Sequence, residues 1–192
     1  MNTPSPLVIL SDFDGTISKF DVSDFIYQNF AGCGMLYAEQ WSRGLISTRE
    51  EVLRTYDTVT ASKEEIAAAL ATVPIDPSFH TLVERTQRLG IELAIVSDGM
   101  DWVIETVLAA HGIHGLALYA NHITFQGGKP CITFPWWHEF CPMDGVCKPK
   151  VLNRFRDAGK RIVYIGDGRS DRLAAAEADV VFAKNDLVTI CQ

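Results

Sequence analysis

Short apolar runs alternate along this chain with longer stretches whose apolar positions recur at helical spacing. Residues 7–10, 91–97, 161–166 and 180–183 are the apolar runs. They are continuous rather than strictly alternating, the pattern of strands buried on both faces. Helical periodicity falls between them, at 77–89, 101–110, 150–157 and 171–178. Strands alternating with helices of this length predict crossover units and a parallel sheet. The expected fold is α/β and Rossmann-like, with helices on both faces of the sheet.

The strand signal vanishes between residues 17 and 74. Helix-like pieces occupy 22–30, 38–43, 48–56 and 63–70. Thr48 with Glu51, and Ser62 with Glu65, have capping-box spacing. This region predicts a small helical cap (17–74) inserted into an α/β core (1–16 and 75–192), placed over the mouth of the first strand. A second irregular stretch, 119–142, carries Gly127 and Gly128 between two β-like pieces, which predicts a hairpin.

Composition narrows the classes. A chain of 192 residues has the length for one domain with an insertion. An apolar share of 47% and a charged share of 21% suit a globular protein. The net charge of -7 argues against a general nucleic-acid binder. No apolar stretch reaches membrane-spanning length. No basic residue precedes Lys19, so the N-terminus lacks a secretory signal pattern. Five cysteines, an odd number, then predict reduced thiols in a cytoplasmic protein. Oligomeric state is open.

Chemistry gathers where strands end. Asp12 and Asp14 follow the first apolar run, and two acids side by side at a strand mouth call for a cation to offset their repulsion. Ser97, Asp98 and Gly99 end the second run just before a helix, where a hydroxyl and free backbone amides make an anion site. Lys148 precedes Pro149, and proline favours the first helical position, so Lys148 can point a positive charge at the same place. Asp167 and Asp171 follow the third run.

The order Asp12-x-Asp14-x-Thr16, Ser97, Lys148, Asp167-x3-Asp171 resembles the four motifs of the haloacid-dehalogenase-like phosphatases, and it spans nearly the whole chain. The early insert and the Gly166–Asp171 segment are similar to the phosphoserine phosphatase-like branch. Within that branch, residues 121–125, 141–149 and 179–187 resemble the methionine-salvage phosphatases that act on a methylthio-ketose phosphate. The resemblance implies a magnesium-dependent hydrolase of a small phosphorylated metabolite. Asp12 would be the nucleophile, Asp14 the general acid and base, and Lys148 a catalytic cation. Asp12, Asp167 and the backbone carbonyl of Asp14 would hold Mg2+. Ser97, Asp98, Gly99 and Lys148 would surround the phosphate, Asp21 would contact the rest of the substrate, and Asp171 would orient Lys148 or metal-bound water. Phosphoserine phosphatases usually carry glycine where this chain has Asp98. Its carboxylate is expected to turn away from the phosphate and cap the helix beginning near Asp101.

Other readings stay open at this point. A phosphotransferase or mutase would use the same acids, and a silent binding protein would keep the fold without turnover. Arg54 is a candidate substrate-binding cation on the insert or a structural residue. His138, Cys141 and Cys147 form either a zinc site or free thiols at a pocket rim. Trp136 and Trp137 either shield the pocket or pack the hairpin, and His111 and His114 read as helix-terminal.

Overall fold

Six strands build the sheet: β1 (Leu7–Ser11), β2 (Glu92–Met100), β3 (Ala117–Gln126), β4 (Lys129–Thr133), β5 (Arg161–Gly166) and β6 (Val180–Ala183). Their order in the computed structural model is β4-β3-β2-β1-β5-β6. All pairings are parallel except β3 with β4. The model describes residues 6–192, so the N-terminal stretch read for signal features lies largely outside the described residues. Among the described residues no helix is long and apolar enough to cross a membrane.

The first three apolar runs become buried on both faces, whereas 180–183 forms the edge strand β6, with Val180 and Phe182 exposed. Val8, Leu10, Ala94, Val96, Ile162 and Tyr164 pack into one core on one face of the sheet. Ile95 joins a second core on the other face, with Phe79 and Val83 of α5 (Pro77–Leu89) and Val103, Ile104 and Val107 of α6 (Asp101–Ala110). Because β1 is flanked by β2 on one side and β5 on the other, the chain winds outward in both directions from it. The loops after these strands therefore diverge and leave a crevice at the carboxyl end of β1.

Four helices fill 17–74: α1 (Val22–Phe30), α2 (Gly34–Ser42), α3 (Thr48–Tyr56) and α4 (Lys63–Leu70). Their apolar side chains, Ile26, Tyr27, Val52, Tyr56, Ile66 and Leu70 among them, belong to the same cluster as Ile95 and Phe79. The insert thus shares its core with one face of the sheet. The capping box at Ser62 and Glu65 forms. The one expected at Thr48 and Glu51 does not: Ser47 is the cap, accepting from the Glu50 amide at 3.2 Å. Thr48 Oγ1 instead accepts from Trp41 Nε1 at 2.9 Å. That one-residue shift turns Glu51 inward.

The hairpin forms with Gly127 and Gly128 at φ 56° and 81°, the doubly positive turn that a two-residue β-connection favours. The first half of β3, which pairs with β2, carries no strand signal that reasoning from the chain alone picked up. The helix expected from residue 150 begins two residues earlier, as α7 (Lys148–Asp157). The one expected at 171–178 divides into a 3-10 turn, Arg169–Asp171, and α8 (Arg172–Glu177). An unexpected α9 (Asn185–Ile190) follows β6.

One expectation needs correction. Cys141 and Cys147 form a disulfide, whereas Cys33, Cys131 and Cys191 are free. The connection leading into α7 folds back so that the Cα atoms of the pair lie 5.3 Å apart, within bridging range. The pair is therefore neither two free thiols nor part of a zinc site with His138. Trp136 and Trp137 pack rather than face the crevice: Trp136 sits edge-on to Tyr119, and the Arg49 guanidinium lies 4.1 Å over the Trp137 ring. His111 ends α6, its Nε2 2.8 Å from the Val73 carbonyl, in keeping with the helix-terminal reading.

Candidate active site

Asp12, Asp14 and Asp167 sit where β1 or β5 ends, so the sheet itself aims them into one crevice. Asp12 and Asp14 follow β1, and Asp167 follows β5, which pairs with β1 up to Ser11 and Ile165. Two glycines permit the close approach of these loops. A Cβ on Gly15, already at φ +66°, would lie 2.4 Å from Asp167 Oδ2. A Cβ on Gly99 would lie 3.1 Å from Asp14 Oδ2 and 3.2 Å from Ser97 Oγ. Ligand atoms of Asp12, Asp167 and Asp171 all fall within 4.8 Å of one another.

Lys148 is the cation of this cluster, and it is 2% exposed. Its Nζ lies 2.8 Å from Asp12 Oδ1 and 2.6 Å from Asp171 Oδ1. Burial alone would lower the lysine pKa, but the Asp12 and Asp171 carboxylates outweigh it and hold the ammonium charged. Lys148 lies behind Asp12, off the wall of the crevice.

Asp171 is wholly buried and its oxygens are fully used. Oδ1 accepts from Lys148 and from the Tyr164 hydroxyl, each at 2.6 Å. Oδ2 accepts from the amides of Asp167 and Gly168 at 3.0 and 3.1 Å. A carboxylate offers about four lone-pair sites, and all are taken. Burial pushes the Asp171 carboxyl up, but Lys148 and these donors prevail and hold it below the ordinary range. Asp171 therefore positions Lys148 and the Asp167 loop. Asp12 Oδ2 and the Asp14 carbonyl, by contrast, accept no hydrogen bond among the described residues, so both can ligate a cation. Among the described residues the Asp167 carboxylate accepts only from the Thr16 hydroxyl at 3.2 Å and the Asn185 side-chain amide at 3.1 Å.

The crevice opens into a cavity of about 470 Å³ whose far wall is α1, α2 and α3 of the insert. Eight acids line it: Asp12, Asp14, Asp21, Asp24, Glu51, Asp98, Asp167 and Asp186. Lys19 and Arg169 are its two basic residues, and Lys19 is already paired with Asp76 at 2.7 Å. Burial pushes the Asp12 carboxyl up, Lys148 pulls it down, and Asp171 and Asp167 push it up again. This surplus of negative charge on oxygen donors alone is the chemistry that a hard divalent cation such as Mg2+ answers.

Asp14 is raised well above the carboxylate range by burial, then by Asp21 and Asp12, despite accepting the Val22 amide at 2.8 Å. Asp12 has the Lys148 ammonium to oppose the effect of burial, whereas Asp14 has the Val22 amide and a more distant Lys148. Ser97 is buried and accepts from the Gly99 amide at 3.0 Å. Asp98 borders the cavity with its Oδ1 turned out of it, and it does not cap α6. Its Oδ1 takes the amides of Gly145 and Val146 at 3.0 and 2.6 Å, fixing the loop before Lys148. Asp21 caps α1 at the cavity mouth, accepting from the Asp24 amide. Arg54 lies outside the cavity, paired with Glu50 at 2.5 Å.

Reasoning from the chain alone missed Tyr164, Trp41 and above all Glu51. On a helical wheel Glu51 sits at the boundary between Thr55 on the buried face and Arg54 on the exposed one, so spacing alone does not assign it.

A family model for haloacid dehalogenase-like hydrolases matches residues 9–176. The chain belongs to this family. Two relatives named 2-hydroxy-3-keto-5-methylthiopentenyl-1-phosphate phosphatase are similar along most of their length. That of Brevibacillus brevis is 32% identical over 186 residues, covering 94% of this chain and 84% of its own. That of an Exiguobacterium species is 26% identical over 189 residues, covering 96% and 87%. A substrate-bound phosphoserine phosphatase shares the fold, with a TM-score of 0.75 at 17% identity over 97% of this chain and 90% of its own. Family and relatives together make the protein a phosphatase.

Two outcomes follow from the buried charges. Asp171→Asn leaves Lys148 with one carboxylate and should destabilise the fold by about 3–5 kcal/mol in denaturant titrations. Glu51 is pushed up to about 8 by burial, with Asp21, Asp24 and Asp98 adding to it. The fold then binds the Glu51 proton more tightly than the unfolded chain does, so stability falls as pH rises from the ordinary 4.5 to about 8. Glu51→Gln should melt with wild type near the lower limit and higher than wild type, by about 4 °C or more, at the upper one. Equal melting at both limits would contradict the assignment.

Proposed function

We propose that the protein is a magnesium-dependent phosphatase that removes phosphate from a small hydroxyketone ester through a phosphoryl group carried on Asp12. The observation that carries this reading is the pairing of Asp12 with Lys148 in the crevice that Asp14, Ser97 and Asp167 also line. Asp12, Asp167 and the Asp14 carbonyl would hold the magnesium ion, which would neutralise the charge of the incoming phosphate. A carboxylate oxygen of Asp12 attacks phosphorus while the ester P–O bond breaks, and Asp14 gives its proton to the leaving oxygen. Asp14, now ionised, takes a proton from water as that water attacks the same phosphorus. The P–O bond to Asp12 breaks, phosphate leaves and both acids return to their starting state. The Ser97 hydroxyl, which accepts from the Gly99 amide and lines the same cavity, is a donor for the phosphoryl oxygens. Lys148 holds Asp12 in line from behind.

The substrate class follows from the insert. Its wall presents Asp21, Asp24 and Glu51 and no unpaired cation, since Arg54 points elsewhere. A second carboxylate on the substrate, as phosphoserine has, would be repelled there. Tyr27, Trp41 and Val52 on the same wall suit an apolar tail. Relatives named for a hydroxy-keto-methylthio phosphate support an ester of that type. The insert then acts as a cap that selects by the chain attached to the phosphate.

Purified protein should hydrolyse p-nitrophenyl phosphate with magnesium, lose turnover on chelation, and turn over methylthio-ketose phosphates better than phosphoserine. Asp12→Asn should lower kcat by about 10^3-fold or more, on the scale of removing a covalent nucleophile. Retained activity in that variant, or phosphate transfer only to added alcohols, would contradict the reading.

A further inference from the structure

Glu51 is 6% exposed although Leu53, two residues on in the same helix, is 50% exposed. A helix packed only for stability would place these the other way round. Glu51 shares the buried face of α3 with Thr48, Val52 and Tyr56, and its carboxyl accepts no hydrogen bond among the described residues. It lines the cavity that Asp12 and Asp14 line from the opposite side. A leucine would fit the same face and pack better, whereas the Glu51 carboxyl lies against the cavity with its hydrogen-bonding capacity free for what enters there. The unmet hydrogen-bonding capacity therefore points into the cavity, to a ligand.

Resting on the phosphatase reading above, we propose that Glu51 is a specificity-determining residue, its carboxyl group binding the adjacent hydroxyl and carbonyl of the ester's carbon chain. Around it stand Asp21 and Asp24 on α1, and Asp98 adds to the negative field; the near wall offers Tyr27, Trp41 and Thr48. With no cation facing it and its pKa pushed up to about 8, Glu51 is largely neutral at pH 7. A neutral carboxyl has one O–H to give and an oxygen to accept with. A hydroxyl next to a carbonyl offers the reverse pair, so the two can join by two hydrogen bonds. An ammonium group would instead require the ionised form.

Three esters separate these cases: dihydroxyacetone phosphate, which carries the pair; phosphoethanolamine, which carries an ammonium; and p-nitrophenyl phosphate, which carries neither. The readout is the ratio of kcat/KM for each of the first two to that for the third, in wild type, Glu51→Gln and Glu51→Leu, with melting temperatures recorded. Glutamine keeps a donor and an acceptor and should hold the dihydroxyacetone ratio within about threefold. Leucine should lower it by about tenfold, roughly the worth of one such hydrogen bond, mainly through KM. An unchanged ratio in Glu51→Leu overturns the proposal, as does an equal fall for all three esters in variants that melt normally. A preference for phosphoethanolamine that Glu51→Gln abolishes also overturns it, by showing an ion-pair site. If wild type cleaves p-nitrophenyl phosphate but not dihydroxyacetone phosphate, the Glu51 assignment fails alone. If it cleaves none of the three with magnesium present, the phosphatase reading itself fails.

Discussion

One buried ammonium set against a surplus of buried carboxylates governs this structure. Lys148 touches Asp12 and Asp171 at hydrogen-bonding distance, and Asp14 and Asp167 crowd the same crevice. A single positive charge cannot balance that group in a medium from which water is largely excluded. The arrangement persists because the sheet forces it: the acids follow the ends of β1 and β5, which are adjacent and parallel. Folding energy from the two apolar cores on the sheet faces thus sustains a site that is electrostatically incomplete without a cation and ready for an anion.

The carboxylates differ in role because their surroundings differ. Asp171 has spent every acceptor site on Lys148, Tyr164 and two backbone amides, which makes it a support. Asp12 keeps one oxygen free and the other on Lys148, which suits attack on phosphorus. Asp14 is pushed toward its protonated form by burial and by its acidic neighbours. Asp98 is spent on the loop that delivers Lys148. On the proposed mechanism, these four aspartates divide into nucleophile, acid, strut and loop anchor.

The part of this site written as strand-end residues was legible in the chain. Asp12, Ser97 and Asp167 each follow an apolar run, so the end of a buried strand and the start of chemistry coincide in the pattern. Lys148 was found through its neighbour Pro149. What escaped depends on contacts between distant segments. Glu51 was obscured by a capping-box spacing that Ser47 took over, and only the packing of α3 shows that its side chain faces inward. Tyr164 reads as a strand residue, yet its hydroxyl holds Asp171. The Cys141–Cys147 bridge needs the fold-back before α7, which no local signal announces. The first half of β3 gains its strand character from the neighbouring β2 rather than from its own residues.

The stereochemistry of transfer tests the central claim most directly. An ester made chiral at phosphorus with oxygen isotopes, hydrolysed in isotopic water, reports the number of displacements. Transfer to Asp12 and then to water comprises two in-line displacements and yields phosphate with retained configuration. Inverted configuration would mean that water attacks the ester directly, and the role assigned to Asp12 would be wrong.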